Sequence, residues 1–198
     1  MTSTETQRGD AATESRRRLF EARDLALGGL FGALALVLPV VFHALGPVAG
    51  KVFLPMYYPI LALGLLASWE VALTVGILVP IISSVLTGMP PPPTAVMMVC
   101  ELAAMGVVAS LVRSRGGGIW PAAIAGVLTA RIAGVILIVT VLPLIGIHRG
   151  VYEYAVASFV AALPGEVVLL TIVPAAVYAI ERTSMIGRRQ AATCGESE

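Results

Sequence analysis

Three ionisable residues interrupt long apolar runs of this sequence: Glu101, Arg131 and Glu166, each in a different run. Moving a charged side chain from water into an apolar environment costs free energy, so such residues usually neutralise one another or serve a function. Carboxylates and a guanidinium in one site can form an ion pair, bind the polar groups of a small molecule, or transfer protons. These three residues are therefore the first candidates for chemistry.

The same three residues allow two interpretations. In the first, one of the acids pairs with Arg131, and the pair neutralises itself and fixes the packing of its helices. In the second, one or more of the three face a polar cavity that binds a ligand. Because one guanidinium and two carboxylates together carry a charge of −1, the three residues alone leave the charge of such a ligand open.

Further candidates lie close to these residues or at the start of another apolar run. Met98 precedes Glu101 by about one helical turn, and methionine side chains adapt to ligands of irregular shape. Lys51 offers a cation and Tyr57 a phenol that can donate or accept a hydrogen bond. The candidate substrate-binding residues are Lys51, Tyr57, Met98, Glu101, Arg131 and Glu166.

The composition indicates which elements position these residues. Of the 198 residues, 58% are hydrophobic and only 13% are charged, and the formal net charge is +1; the mean hydropathy is +0.91. A soluble domain is usually about half apolar and about a quarter charged. The apolar excess argues against a soluble globular domain, a disordered chain and a strongly basic nucleic-acid binder. The sequence therefore predicts an integral membrane protein.

Charge-poor apolar runs, separated by Gly, Pro and charged residues, define the predicted spans. The runs are continuously apolar rather than alternating, which favours helices. The predicted fold is an all-α membrane protein with six transmembrane helices: Leu25–His43, Pro55–Trp69, Val71–Thr87, Thr94–Val112, Ile119–Ile145 and Tyr154–Ile180. The predicted organisation is an N-terminal segment (1–24), a six-helix membrane domain (25–182) and a polar C-terminal tail (183–198).

The distribution of Lys and Arg predicts the orientation of these helices. Ten Arg lie in the N-terminal segment, in the connection after the fourth helix and in the C-terminal tail, whereas Lys51 and Arg149 lie on the opposite side. Because positive residues concentrate on the cytoplasmic side, both termini are predicted to be cytoplasmic. The predicted location is a bacterial-type cell membrane, crossed several times.

Four consecutive prolines, Pro90–Pro93, lie between the third and fourth predicted helices. Proline lacks a backbone N–H and disrupts the interior of a helix. We therefore expect this run to stay outside the helices and to form a stiff, extended cap of the polyproline type on the outer side.

The first predicted helix has small residues at four-residue steps. Such steps allow a second helix to approach closely. Two overlapping ridges of this kind could serve two contacts, one within the bundle and one with a separate subunit. The candidate partner-binding residues are Ala22, Ala26, Gly28, Gly29, Gly32 and Ala33.

Motifs of the common enzyme classes are absent from the sequence. It contains no P-loop, nucleophile elbow or zinc-protease motif, and its His, Cys, Asp and Glu residues show no spacing typical of metal ligands. We therefore expect a protein that is not an enzyme and that binds neither a metal nor a cofactor. A small membrane enzyme that uses Glu101 or Glu166 as an acid or base is the least favoured alternative.

Five stretches in a fixed order resemble the substrate-binding S component of energy-coupling factor (ECF) vitamin transporters. They extend through nearly the whole membrane region, about residues 22–182, and several of the candidate residues lie in them. The stretches are 51–60 (KVFLPMYYPI), 83–91 (SSVLTGMPP), 97–106 (MMVCELAAMG), 129–134 (TARIAG) and 161–165 (AALPG).

This resemblance implies a six-helix bundle that binds one vitamin or related small molecule from outside, between the outer loops and the outer halves of the last three helices. It implies a membrane coupling subunit and two cytoplasmic ATPase subunits as partners, and a contact between the small residues of the first helix and the coupling subunit. Pantothenate is the first substrate to consider. The alternative from the residues alone is a structural or assembly subunit with a static Glu–Arg network.

Overall fold

The computed structural model describes residues 3–44, 55–88, 90–144 and 151–195. Throughout these residues the regular structure is helical, and the predicted all-α class is confirmed for this part of the chain. The six α-helices are α1 (Ser3–Ala44), α2 (Tyr57–Leu66), α3 (Trp69–Thr87), α4 (Pro92–Ser114), α5 (Ile119–Leu144) and α6 (Val151–Gly195).

Five of these helices are long and apolar enough to cross a membrane. Large apolar side chains on their outer surfaces are exposed, for example Leu30, Val85 and Ile132, and hydrocarbon accepts such side chains as readily as a protein core does. The chain therefore has the helices of a multi-pass membrane protein. The five apolar stretches are Ala22–Phe42, Trp69–Thr87, Thr94–Ser114, Ile119–Thr140 and Ala162–Thr183.

The helix α2 is shorter than the predicted second span, Pro55–Trp69. It ends at Leu66, because Ala67 is extended (φ −119°, ψ 173°) and Ser68 is already the N-cap of α3. Its ten residues rise about 15 Å, roughly half of the hydrocarbon thickness of a bilayer. The sequence did not indicate this boundary, because the apolar run continues through it. The helix α2 alone does not cross a membrane.

This short helix lies in the middle of the bundle. It contacts each of the five other helices, and eight of its ten residues are buried. Its sequence is apolar on every side because neighbouring helices surround it. As a result, the first turn of α2 lies against α4, α5 and α6, where the charged residues of the apolar runs are found.

The close packing of α2 on α4 depends on a pair of glycines. Gly64 faces Gly106, and a Cβ on Gly64 would lie only 2.7 Å from the carbonyl oxygen of Gly106. A backbone atom at this distance cannot move aside without shifting the whole helix, so a larger residue would push α2 away from α4.

The expectation that Pro90–Pro93 stay outside the helices is wrong for the second half of the run. Pro91 is extended (φ −62°, ψ 154°) and caps α4, but α4 begins at Pro92 and includes Pro93. The backbone N–H groups in the first turn of a helix have no helical acceptor, so proline loses no hydrogen bond there and its fixed φ suits the helix.

Polar contacts from α4 hold the other end of α2. Ser110 Oγ donates to the carbonyl oxygen of Ala67 (2.9 Å), and Arg113 Nε donates to that of Leu65 (3.4 Å). Arg113 Nη2 also pairs with Glu181 Oε1 of α6 at 2.5 Å. These donors satisfy carbonyl groups that the end of a helix leaves without partners.

Candidate functional site

The first turn of α2 meets α4, α5 and α6 at a group of polar side chains. Tyr57 is almost fully buried and donates a hydrogen bond from Oη to Oε2 of Glu101 on α4. The Cζ atom of Arg131, on α5, lies 5.8 Å from the centroid of the Tyr57 ring, which is within the range of cation–π attraction. Together with Glu166 of α6, which contacts Arg131, these residues form what we call the polar cluster.

Arg131 forms its ion pair with Glu166, through Nε and Oε1. Both side chains are largely buried, with 15% and 10% of their surface exposed. Either charge alone would be strongly unfavourable in this apolar bundle, so the pair stabilises the bundle only while both partners are present. The sequence left both acids as possible partners of Arg131; the structure pairs it with Glu166.

Glu101 has different surroundings. Within the described residues, its carboxylate accepts one hydrogen bond, from Tyr57, and belongs to no ion pair. The side chain is half-buried, and it lies against Gly134 of α5. A Cβ on Gly134 would collide with the carboxylate of Glu101, so the missing side chain provides the space that this carboxylate occupies.

Two residues beside the polar cluster were not among the candidates from the sequence. Tyr58 Oη donates to the carbonyl oxygen of Gly165 on α6 (3.3 Å), so both tyrosines at the start of α2 hold neighbouring helices. Gly134 accommodates Glu101. Its position one helical turn after Arg131, on the same side of α5, is the only signal in the sequence that could have indicated this role.

The structure brings together four of the six candidate substrate-binding residues: Tyr57, Glu101, Arg131 and Glu166. Met98 lies one turn before Glu101, is half-buried and packs against the apolar core. Lys51 lies outside the described residues. The polar cluster combines two carboxylates, a guanidinium and a phenol from four helices, a set of groups that can bind a polar small molecule through charge and hydrogen bonds.

In the part of the chain that the structure describes, no group of three or more His, Cys, Asp and Glu residues could hold a metal ion. The polar cluster itself contains only two such residues, Glu101 and Glu166.

The small residues of α1 divide into two groups. Gly28 is buried, and a Cβ there would lie 2.7 Å from Cγ1 of Val71; a Cβ on Gly32 would lie 3.3 Å from Cγ1 of Val75. Both valines belong to α3, so this pair of glycines packs inside the chain. The other candidates are exposed and recur along one side of the helix, so a partner surface on α1 would consist of Ala22, Ala26, Gly29 and Ala33.

Comparison of the chain with protein-family models, curated proteins and solved structures finds no match. What the chain does must therefore be inferred from its own residues and their arrangement.

Proposed function

We propose that the chain is the substrate-binding S component of an ECF-type importer. In this role it captures a vitamin or related small molecule from outside the cell and delivers it inward. A membrane coupling subunit and two cytoplasmic ATPase subunits supply the energy, and the chain itself catalyses no reaction.

One observation carries the proposal: four polar side chains from four helices meet inside an otherwise apolar bundle. Ionisable residues within membrane helices commonly mark the site or the path of a polar substrate. If these residues only stabilised the packing of the helices, the Arg131–Glu166 pair would be sufficient, because its two charges neutralise each other. The additional half-buried acid, Glu101, and its hydrogen bond to Tyr57 favour a site that receives something from outside the chain.

The direction of α2 relates the polar cluster to the two surfaces of the membrane. Tyr57 lies at the start of α2, and the carbonyl groups near Arg113 lie at its end. In the proposed topology both termini are cytoplasmic and the chain passes from one side of the membrane to the other six times, with α2 forming only part of the second passage. The Arg113 end then lies inside, because most Arg lie on that side. The polar cluster then lies toward the outer surface, where an imported ligand arrives.

Reporter fusions test this topology. Green fluorescent protein fused to either terminus folds and fluoresces in the cytoplasm, whereas alkaline phosphatase is active only outside it. We expect both fluorescent fusions to fluoresce and both phosphatase fusions to be inactive. An active phosphatase at one terminus alone would require an odd number of spans and would contradict the topology.

The exposed small residues of α1 support the second part of the proposal, a contact with the coupling subunit. Ala22, Ala26, Gly29 and Ala33 recur along one side of the helix and carry little or no side chain. A helix of another subunit can approach such a surface closely. In the same helix, Gly28 and Gly32 serve the contact with α3.

Ligand binding is tested with the purified full chain in detergent, by thermal shift and native mass spectrometry. Vitamins and their precursors, pantothenate among them, are the probes. A ligand that binds only the folded state raises its stability with the logarithm of ligand concentration over Kd. We expect one probe to bind at a ratio of one to one and to raise Tm, without ATP hydrolysis by the chain alone. Absence of binding to every probe would contradict the proposal.

A structural or assembly subunit is the second candidate, and the Arg131–Glu166 pair favours it, because a self-neutral pair is what a static network requires. In that case Glu101→Gln and Tyr57→Phe change only the stability of the fold, and no probe binds. A probe that binds the wild type and binds Glu101→Gln more weakly excludes this candidate.

A further inference from the structure

The charges of the polar cluster do not balance. Arg131 carries one positive charge, and Glu101 and Glu166 carry two negative charges when both are ionised. Because Arg131 pairs with Glu166, the excess negative charge lies on Glu101. The Tyr57 hydroxyl donates a hydrogen bond to it but brings no positive charge. A carboxylate in an apolar environment is unfavourable without an opposite charge.

Arg131 is poorly placed to receive an anionic ligand. Its Nε is paired with Glu166, its Cζ lies 5.8 Å from the centroid of the Tyr57 ring, and only 15% of its side chain is exposed. An anion could still approach the Nη groups of this guanidinium, but it would add a third negative charge beside Glu101 and Glu166, which is unfavourable in an apolar bundle. The polar cluster is therefore better matched to a ligand of positive charge.

Glu101 is placed to receive such a ligand. Its side chain is half-buried, Tyr57 donates to one carboxylate oxygen, and the absence of a side chain at Gly134 gives the carboxylate its position between α4 and α5. Hydrogen bonds between a positively charged nitrogen and a carboxylate are among the strongest in proteins. We propose that Glu101 binds a positively charged nitrogen of the ligand, so that the substrate is a protonated amine or another organic cation. This inference rests on the proposed function and adds the substrate class.

The first test uses the wild-type chain and ranks probes of known charge by affinity, measured by native mass spectrometry and thermal shift. The cationic probes are thiamine and pyridoxamine, the neutral probes are pyridoxine and riboflavin, and the anionic probes are 4-pyridoxate, pantothenate and biotin. Pyridoxamine, pyridoxine and 4-pyridoxate share one ring and differ mainly in a single charged or uncharged substituent. We expect a cation to bind most tightly.

Each outcome of this ranking decides something different. A neutral or anionic probe that binds most tightly would overturn the inference and leave the proposed importer role intact. Absence of binding to any probe would contradict the proposed function itself.

The second test changes the charge of the acid. Glu101→Gln keeps the shape of the side chain, and we expect it to lower the affinity for the tightest cationic probe about 30-fold or more, as for the loss of one partner of a buried charge pair. The matched control, Glu181→Gln, makes the same change at the other end of the bundle and should leave the ranking unchanged. A folded Glu101→Gln variant with wild-type affinity for the cation would overturn the inference. If this variant fails to fold, the wild-type ranking decides.

Discussion

Arg131 of α5 pairs with Glu166 of α6, and this buried pair joins the two helices beside the first turn of α2. The remaining acid, Glu101, accepts a hydrogen bond from Tyr57. The polar cluster thus divides into a self-neutral half and a half with excess negative charge. Stability should depend mainly on the first half and ligand recognition on the second, so the two can be changed separately.

Removing one partner of the Arg131–Glu166 pair should destabilise the bundle strongly. We predict that Arg131→Met or Glu166→Met alone lowers the free energy of unfolding by about 3 kcal/mol or more, because the remaining charge is buried without a partner. The double variant leaves no charge behind and should lose less than the sum of the two single losses. Unfolding of the purified variants in detergent by denaturant measures this, and strictly additive losses would contradict the pairing.

The sequence predicted which charged residues form the polar cluster, but not which acid pairs with Arg131. Glu101, Arg131 and Glu166 stand out because charged residues are rare in apolar spans, and the structure brings them together. Which acid pairs with Arg131 depends on how α4, α5 and α6 rotate about their axes when they pack. Long apolar runs carry little information about rotation, because nearly every side of these helices is apolar.

The boundary of α2 and the role of Gly134 could not be predicted for related reasons. The apolar run Pro55–Trp69 continues through the end of α2 at Leu66, so hydropathy does not mark the turn at Ala67. Gly134 is one of 20 glycines in the chain, and its meaning becomes visible only when Glu101 of another helix lies against it.

Gly134→Ala should affect ligand binding more than stability. The atoms that a Cβ would meet belong to the Glu101 carboxylate, the end of a flexible side chain that can move aside. We therefore predict a change in the free energy of unfolding within about 1 kcal/mol, comparable to the effect of helix propensity alone. Displacing the carboxylate should weaken the hydrogen bond from Tyr57 and lower ligand affinity about tenfold. Unchanged affinity would show that the carboxylate position is unimportant for binding.

Gly64→Ala should have the opposite profile, because the clash involves backbone. A Cβ there would lie 2.7 Å from the carbonyl oxygen of Gly106, so α2 and α4 must separate. We predict a loss of about 1–3 kcal/mol in the free energy of unfolding, as for overpacked cores. The matched control is Gly29→Ala, where no atom lies within 4 Å of the added Cβ; it should be neutral or slightly stabilising. Equal effects at both positions would contradict the close α2–α4 contact.

The two sides of α1 should respond differently to a bulky residue. Gly28→Leu places its side chain against Val71 of α3 and should destabilise the isolated chain. Gly29→Leu enters open space and should leave folding and ligand binding intact, but it should abolish uptake in cells that contain the coupling subunit and ATPases, because the partner helix can no longer approach. Binding by the purified chain and uptake of labelled ligand are measured for both variants. Normal uptake by Gly29→Leu would contradict a partner surface on this side of α1.

At the opposite end of α2, Arg113 should contribute more to stability than the ion pair it forms. The pair with Glu181 is partly exposed, with 27% and 36% of the two side chains accessible, so Glu181→Gln should cost less than about 1 kcal/mol, and less again at high salt. Arg113→Leu also removes hydrogen bonds to the carbonyl oxygens of Leu65 and Gly117. We therefore predict that this variant loses about 1–3 kcal/mol in the free energy of unfolding, and that the loss persists at high salt.

Denaturant unfolding of both variants at low and high salt separates the two contributions. If the hydrogen bonds to the end of α2 dominate, the loss in Arg113→Leu changes little with salt, and Arg113→Leu/Glu181→Gln resembles Arg113→Leu alone. Losses of equal size in the two single variants, both abolished by salt, would mean that the surface ion pair is the whole effect. In that case Arg113 does not hold the end of α2, and the hydrogen bond from Ser110 to Ala67 and the apolar contacts keep the short helix in place.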